Sequence, residues 1–79
     1  MLINVTARDI KLGIPCSKQS CPIARAIRRR FPRSRIKVHA WCLTINRRII
    51  STAPQVTRFI NALDDGKRVR PFKFDLPIK

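Results

Sequence analysis

Two segments of the chain place their apolar residues at helical spacing, and each has residues typical of helix ends. The first begins at Ser20 or Cys21, carries Pro22 in its first turn and is stopped by Pro32. The second begins near residues 52–54 and ends before Gly66. The apolar stripes consist of Ile23, Ala24, Ala26, Ile27 and Phe31 in the first helix and of Val56, Phe59, Ile60 and Leu63 in the second.

Residues with strand character lie before, between and after these helices. Residues 2–6 are rich in β-branched side chains and predict a first strand, and residues 71–76 alternate as a closing strand. From residue 35 to residue 45 the period is two, which predicts one long strand. Asn46-Arg47 then forms a turn into a short strand over residues 48–52. On the long strand, Ile36, Val38, Ala40, Cys42 and Thr44 share one face, and Lys37, His39, Trp41, Leu43 and Ile45 share the other.

A further short helix is predicted after the first strand. Thr6 and Asp9 have the Thr-x-x-Asp spacing of a helix start, and Gly13 and Pro15 end the helical turn. The resulting order is β-(short α)-α-β-β-α-β over a single domain of residues 1–79. We expect an α+β fold with one small sheet and both main helices on one of its faces. The order is also compatible with a split β-α-β arrangement.

The charge balance adds a partner class to this picture. Lys and Arg number 18 against four acidic residues, which gives a net charge of +14 and a pI near 11.7. Repulsion of this size opposes compaction and indicates an anionic partner, foremost nucleic acid. No segment approaches the roughly 20 apolar residues of a membrane span. The N-terminus lacks the pattern of a signal peptide, so we expect a cytoplasmic protein with three reduced cysteines.

The basic residues concentrate between Arg25 and Lys37, where seven of thirteen positions are Lys or Arg. Arg25, Arg28 and Arg29 stand at i, i+3 and i+4 of a helix and are expected to project together. Trp41 would stack on a base if its strand face is open, or would lie in the core. The predicted nucleic-acid interface comprises Arg25, Arg28, Arg29, Arg30, Arg33, Arg35, Lys37, Arg47, Arg48 and Trp41.

The interface predicts phosphate-dominated binding of weak sequence specificity, because no motif for reading base edges is recognisable. DNA and RNA stay open. Catalysis is not expected, since one histidine, no Glu and scattered Asp residues leave little for acid–base chemistry. Cys21, at a helix N-terminus near arginines, would have a lowered thiol pKa. No cofactor is expected.

Zinc is the alternative for the cysteines. Cys16, Cys21, His39 and Cys42 have a composition that zinc accepts. However, His39 and Cys42 would lie on opposite faces of a continuous strand and could bind one ion only if a bulge brought them together. A set of Cys16, Cys21 and Cys42 is geometrically freer. The sequence therefore favours packing roles for Cys21 and Cys42.

Three patterns carry a resemblance to a family. They are Ile3-Asn4-Val5-Thr6 with Asp9-Ile10 and Gly13, then Cys21-Pro22-Ile23-Ala24 with Ala26-Ile27, and finally Pro71-Phe72 with Phe74 and Leu76. In these the chain resembles small uncharacterised proteins carried by bacteriophages and bacteria, over nearly its whole length. The resemblance implies a phage-encoded protein that binds nucleic acid or modulates the host. An inhibitor docking its basic face on an acidic host protein and a ribosome-associated protein are the alternatives.

Overall fold

The computed structural model describes residues 1–77 and has the predicted α+β class. Both main helices, the short helix and the first and last strands lie where the sequence predicts them. The helices are α1 (Ala7–Leu12), α2 (Pro22–Arg30) and α3 (Pro54–Asp64). The strands are β1 (Leu2–Val5), β2 (Ile36–Val38), β3 (Cys42–Ile45), β4 (Arg48–Ser51) and β5 (Phe72–Asp75).

The stretch predicted as one long strand is a hairpin of two strands. β2 and β3 pair antiparallel, with Val38 opposite Leu43, and the N–H of His39 donates to the carbonyl of Cys42 over 2.8 Å. Ala40 and Trp41 therefore form the turn. Because the chain reverses there, Leu43 is buried on the same side of the sheet as Val38. The prediction of a single alternating strand, with Leu43 on the opposite face, was wrong.

The strands form two sheets instead of the expected one. β1 pairs with β5, and β2, β3 and β4 form a meander in that order. Within residues 1–77 every strand pair is antiparallel, so the split β-α-β alternative, which needs parallel neighbours, does not describe the fold. The tight turn at Ala40-Trp41 accounts for the three-stranded meander, because it gives β3 two partners that are neighbours along the chain.

The core leaves one face of the three-stranded sheet open. α2 packs against α1, β1 and β2, and β2, β3 and β4 turn apolar side chains toward this core. Their opposite face carries Lys37, Thr44 and Ile49, which lie side by side in the strand register. We call this row and its surroundings the open face. The buried side chains on the core side of this sheet are Ile36, Val38, Leu43, Ile45 and Ile50.

Side chains fix the start of two helices. At α1, Thr6 and Asp9 form the predicted capping box, in which each side chain accepts the other's backbone N–H. At α2, Cys21 is the N-cap, and its Sγ accepts the N–H of Ala24 over 3.4 Å. These caps fix where α1 and α2 begin, and α2 carries Arg28 of the site described next.

Candidate functional site

A groove of about 620 Å³ lies along the open face. Strands β2, β3 and β4 form its floor through Lys37, Thr44 and Ile49. Four cationic side chains line it, and none of the carboxylate side chains within residues 1–77 does. We call it the basic groove, defined by Arg28, Arg35, Lys37 and Arg47.

The hairpin turn between β3 and β4 positions one end of the basic groove. Asn46 adopts a left-handed backbone with φ of 58°, a conformation that Asn tolerates better than most residues. Its Oδ1 accepts the N–H of Arg35 over 3.0 Å, and its own N–H donates to the carbonyl of Arg35 over 2.8 Å. Arg35 and Arg47 are therefore held next to each other.

Helix α2 and the loop before it supply the other wall. The Arg28 guanidinium donates to the carbonyl of Gln19, and both residues line the groove. The N–H of Val38 donates to the carbonyl of Lys18 over 2.8 Å, which brings this loop beside β2. Lys18, Gln19 and Lys37 also line an adjoining hollow. The sequence prediction did not include Lys18, because its polar segment gave no indication of which strand it would lie beside.

The three α2 arginines that were expected to project together are separated. Arg29 binds the carboxylate of Asp9 and also donates to the carbonyl of Asn4 over 3.3 Å. Nε of Arg25 lies 3.6 Å from Oδ1 of the same carboxylate. Arg28 alone of the three lines the basic groove. Arg25 and Arg29 therefore connect α2 to α1, which is a structural role.

The partner of these two arginines is a buried acid. Asp9 is fully buried, and burial on its own would raise the pKa of its carboxyl group. Hydrogen bonds from the Thr6 N–H and from Arg29 outweigh burial, so the pKa lies below the usual 3.8. Asp9 is thus ionised at neutral pH and neutralises part of the charge of α2.

The remaining predicted interface residues lie outside the groove. Arg30, Arg33 and Arg48 are exposed and do not line it. Trp41 is 75% exposed, because it stands in the turn between β2 and β3. The alternative that placed Trp41 in the core was wrong.

Two of the cysteines and the histidine surround a smaller pocket of about 220 Å³. Cys16, Cys21, His39 and Asp64 line it, whereas Cys42 does not. His39 and Cys42 face each other across the β2–β3 hairpin, so their predicted separation on opposite strand faces was wrong. Nevertheless, among residues 1–77 no three Cys, His, Asp or Glu side chains are placed to bind one metal ion.

The thiols also lack the activation expected of a nucleophile. Burial raises the pKa of Cys21, so the predicted lowering at this helix N-terminus was wrong. Desolvation, followed by the neighbouring carboxylates of Asp64 and Asp65, raises the pKa of Cys16. Both cysteines are therefore protonated at neutral pH, and a thiol is a poor nucleophile and metal ligand compared with a thiolate.

Comparison with known proteins adds no relative. No protein-family model matches the chain, and neither a curated protein nor a solved structure matches it. None of the helices within residues 1–77 combines the length and apolar composition that a membrane span needs.

Proposed function

We propose that this is a non-enzymatic nucleic-acid-binding protein whose basic groove holds the phosphate backbone. The observation that carries the proposal is the groove itself, in which Arg28, Arg35, Lys37 and Arg47 converge without a carboxylate among the lining residues. One guanidinium group can donate hydrogen bonds to two phosphate oxygens at once, and a lysine ammonium group adds a point charge. Such a site attracts a polyanion, and no carboxylate among the lining residues described competes for its cations.

The position of the acids supports the same proposal. Asp9 is bound to Arg29, Asp75 accepts the N-terminal ammonium over 2.9 Å, and Asp64 accepts the N–H of Cys16 over 3.0 Å. Asp9 and Asp75 are thus paired with cations outside the groove, and Asp64 does not line it. The groove therefore retains the positive potential that steers a polyanion to its binding site.

Sequence specificity is proposed to be weak, for DNA and RNA alike. The groove contacts would be made by cations and by the polar side chains of Gln19, Ser34, Thr44 and Asn46. Phosphate contacts fix position on the backbone but carry no sequence information. The resemblance to phage and bacterial proteins supports a phage-encoded protein that acts inside a bacterial cell.

The test compares two variants that remove the same charge from different places. The groove variant combines Arg28→Gln, Arg35→Gln, Lys37→Gln and Arg47→Gln. The control variant combines Arg58→Gln, Lys67→Gln, Arg68→Gln and Arg70→Gln, which are all exposed and outside the groove. Affinity for a fluorescein-labelled oligonucleotide of mixed sequence is measured by anisotropy over a range of salt concentrations.

We expect the groove variant to lose nearly all affinity and the control variant to lose much less. The slope of log affinity against log salt concentration is negative, and its magnitude should decrease by about 0.7 for each groove cation removed. Thermal unfolding of both variants checks that the fold is intact. Equal losses in the two variants would show that total charge, and not the groove, determines binding. Tight binding to an acidic protein with none to the oligonucleotide would favour the host-protein alternative.

A further inference from the structure

One feature of the basic groove is not explained by phosphate binding. Ile49 lies on the floor of the groove beside Thr44, which separates it from Lys37, and is 74% exposed. Leaving an isoleucine in water forgoes the free energy that its burial would contribute. His39, whose imidazole ring can stack on bases, lines the same groove. An isoleucine and an imidazole among cationic side chains match a ligand that has both phosphates and flat apolar faces.

Unpaired nucleotides present this combination, whereas a duplex hides its base faces in the stack. In proteins that bind single strands, a positively charged groove follows the backbone while the bases stack on side chains. Arg28 and Arg35 add guanidinium planes, which also stack on bases. The groove volume of about 620 Å³ lies within the range of sites for small ligands, which is the scale of a short unpaired segment.

Among the elements described, none is suited to enter the major groove of a duplex. A double helix is read by a helix or β-ribbon that enters its major groove, which is about 12 Å wide. α2 carries the most arginines of the helices described, but two of them, Arg25 and Arg29, are bound to Asp9. The apolar face of α2 is buried in the core. The basic groove is concave, with walls from α2, its preceding loop and the β3–β4 turn. A concave surface can hold a single strand, but it cannot insert into the major groove of a duplex.

We infer that the basic groove selects unpaired nucleic acid, with bases resting on Ile49 and His39 and phosphates on the surrounding cations. This inference rests on the proposed function and narrows its ligand to single strands. It also assigns the exposed Ile49 a binding role. Contacts to the cationic side chains then supply most of the affinity, while Ile49 and His39 supply the preference for unpaired over paired strands.

The experiment measures affinity for one DNA sequence as a labelled single strand and as a blunt duplex. Ile49→Ser removes the apolar side chain from the floor of the groove. Ile49→Thr reduces its apolar surface while keeping the β-branched shape that suits the edge strand β4. Ile49→Phe enlarges the floor. The matched control is Ile14→Ser, since Ile14 is 57% exposed and lies outside the groove.

We expect the wild type to bind the single strand about tenfold or more tightly than the duplex, the effect of about one stacked base. Ile49→Ser and Ile49→Thr should lower single-strand affinity several-fold without changing the salt slope, and Ile49→Phe should raise it. Ile14→Ser should have no effect.

Two results would overturn the inference while leaving nucleic-acid binding in place. These are equal affinity for strand and duplex, and unchanged single-strand affinity in every Ile49 variant while the groove variant fails to bind. Failure of the wild type to bind either oligonucleotide would instead overturn the proposed function itself.

Discussion

At the scale of single residues, Asp9 determines which arginines are available for binding. It is fully buried, it caps α1 with one oxygen and it binds Arg29 with the other. Removing a partner from a buried charge costs more than removing an exposed ion pair. Arg29 is therefore expected to contribute to stability and not to binding, although its neighbour Arg28 lines the basic groove.

The first prediction compares Arg29→Ala with Arg30→Ala. Loss of the hydrogen bond to a charged group should lower the free energy of unfolding by about 1.5–3 kcal/mol. The lower end applies because Arg29 is half-exposed. Arg30 is an exposed neighbour in the same helix, so its removal should cost less than about 0.5 kcal/mol. Urea denaturation at neutral pH measures both values.

The pH dependence of the same variants is the control. Because the pKa of Asp9 is lowered in the folded protein, its stabilising effect is present above 3.8 and is lost as the pH falls through the lowered value. The difference in unfolding free energy between wild type and Arg29→Ala should therefore shrink in strong acid. A difference that persists after Asp9 is protonated would mean that packing of Arg29, and not its charge, stabilises the fold.

This pair also shows what the sequence could predict at the residue scale. Thr6 and Asp9 stand three positions apart, so their capping box was predicted and is confirmed. Arg29 lies 20 residues from Asp9, and nothing in the local spacing relates them. Helical periodicity placed Arg25, Arg28 and Arg29 on one side but could not tell which of them faces another helix.

At the scale of elements, the largest difference from the sequence prediction is the turn at Ala40-Trp41. Ala40 and Cys42 are apolar enough to continue the even-numbered face, and no Gly, Pro or Asn marks a turn there. The turn is stabilised by distant residues instead. The carbonyl of Ala40 accepts the hydroxyl groups of Thr52 at 3.0 Å and Thr57 at 2.6 Å. Because these bonds are tertiary, local sequence does not reveal them, and the open face could not be predicted.

The contact between α1 and α2 gives the second prediction. Gly13 has an ordinary φ of −71°, so its role is not a left-handed backbone. A Cβ there would lie 2.6 Å from the carbonyl oxygen of Asp9 and 2.7 Å from Cδ of Pro22. Gly13→Ala should force the two helices apart and cost about 1–3 kcal/mol of unfolding free energy. Thermal or urea unfolding measures the loss.

Gly66 is the matched control, because its backbone conformation, and not a close contact, favours glycine at this position. Its φ is 75°, and no atom lies within 4 Å of an added Cβ. Gly66→Ala should cost about 1 kcal/mol from backbone strain, and Gly66→Asn less, because Asn tolerates this conformation. At Gly13 the larger Asn should be at least as harmful as Ala. A milder effect of Gly13→Asn than of Gly13→Ala would contradict the steric explanation.

At the scale of the whole molecule, the sequence shows how much positive charge the protein carries more readily than it shows which cations converge. The segment from Arg25 to Lys37 was identified by charge density alone, yet only three of its seven cationic residues, Arg28, Arg35 and Lys37, line the basic groove. Arg47 joins them because the β3–β4 turn brings it next to Arg35. Net charge is a property of composition and can be read directly, whereas the convergence of side chains depends on strand register and turns.

The last prediction concerns how this charge acts on stability. The net charge is +14 on a molecule of about 31 × 21 × 20 Å. At about 0.01 M salt the Debye length of roughly 30 Å spans the molecule, and at about 0.1 M it falls to roughly 10 Å. Raising NaCl over this range should therefore increase the unfolding free energy, because screening weakens repulsion between distant cations. Each gain of about 1 kcal/mol would raise Tm by roughly 4–8 °C.

The groove variant, which lacks four of these charges, is the control for this effect. Its stability at low salt should exceed that of the wild type, and its gain on adding salt should be smaller, because the repulsion among the groove cations is already gone. Binding of an oligonucleotide should weaken over the same range in which the wild type becomes more stable. If the stability of the wild type falls as salt is added, ion pairs such as Arg29–Asp9 outweigh the repulsion. The groove cations would then not destabilise the fold, and a bound polyanion would have no repulsion to relieve.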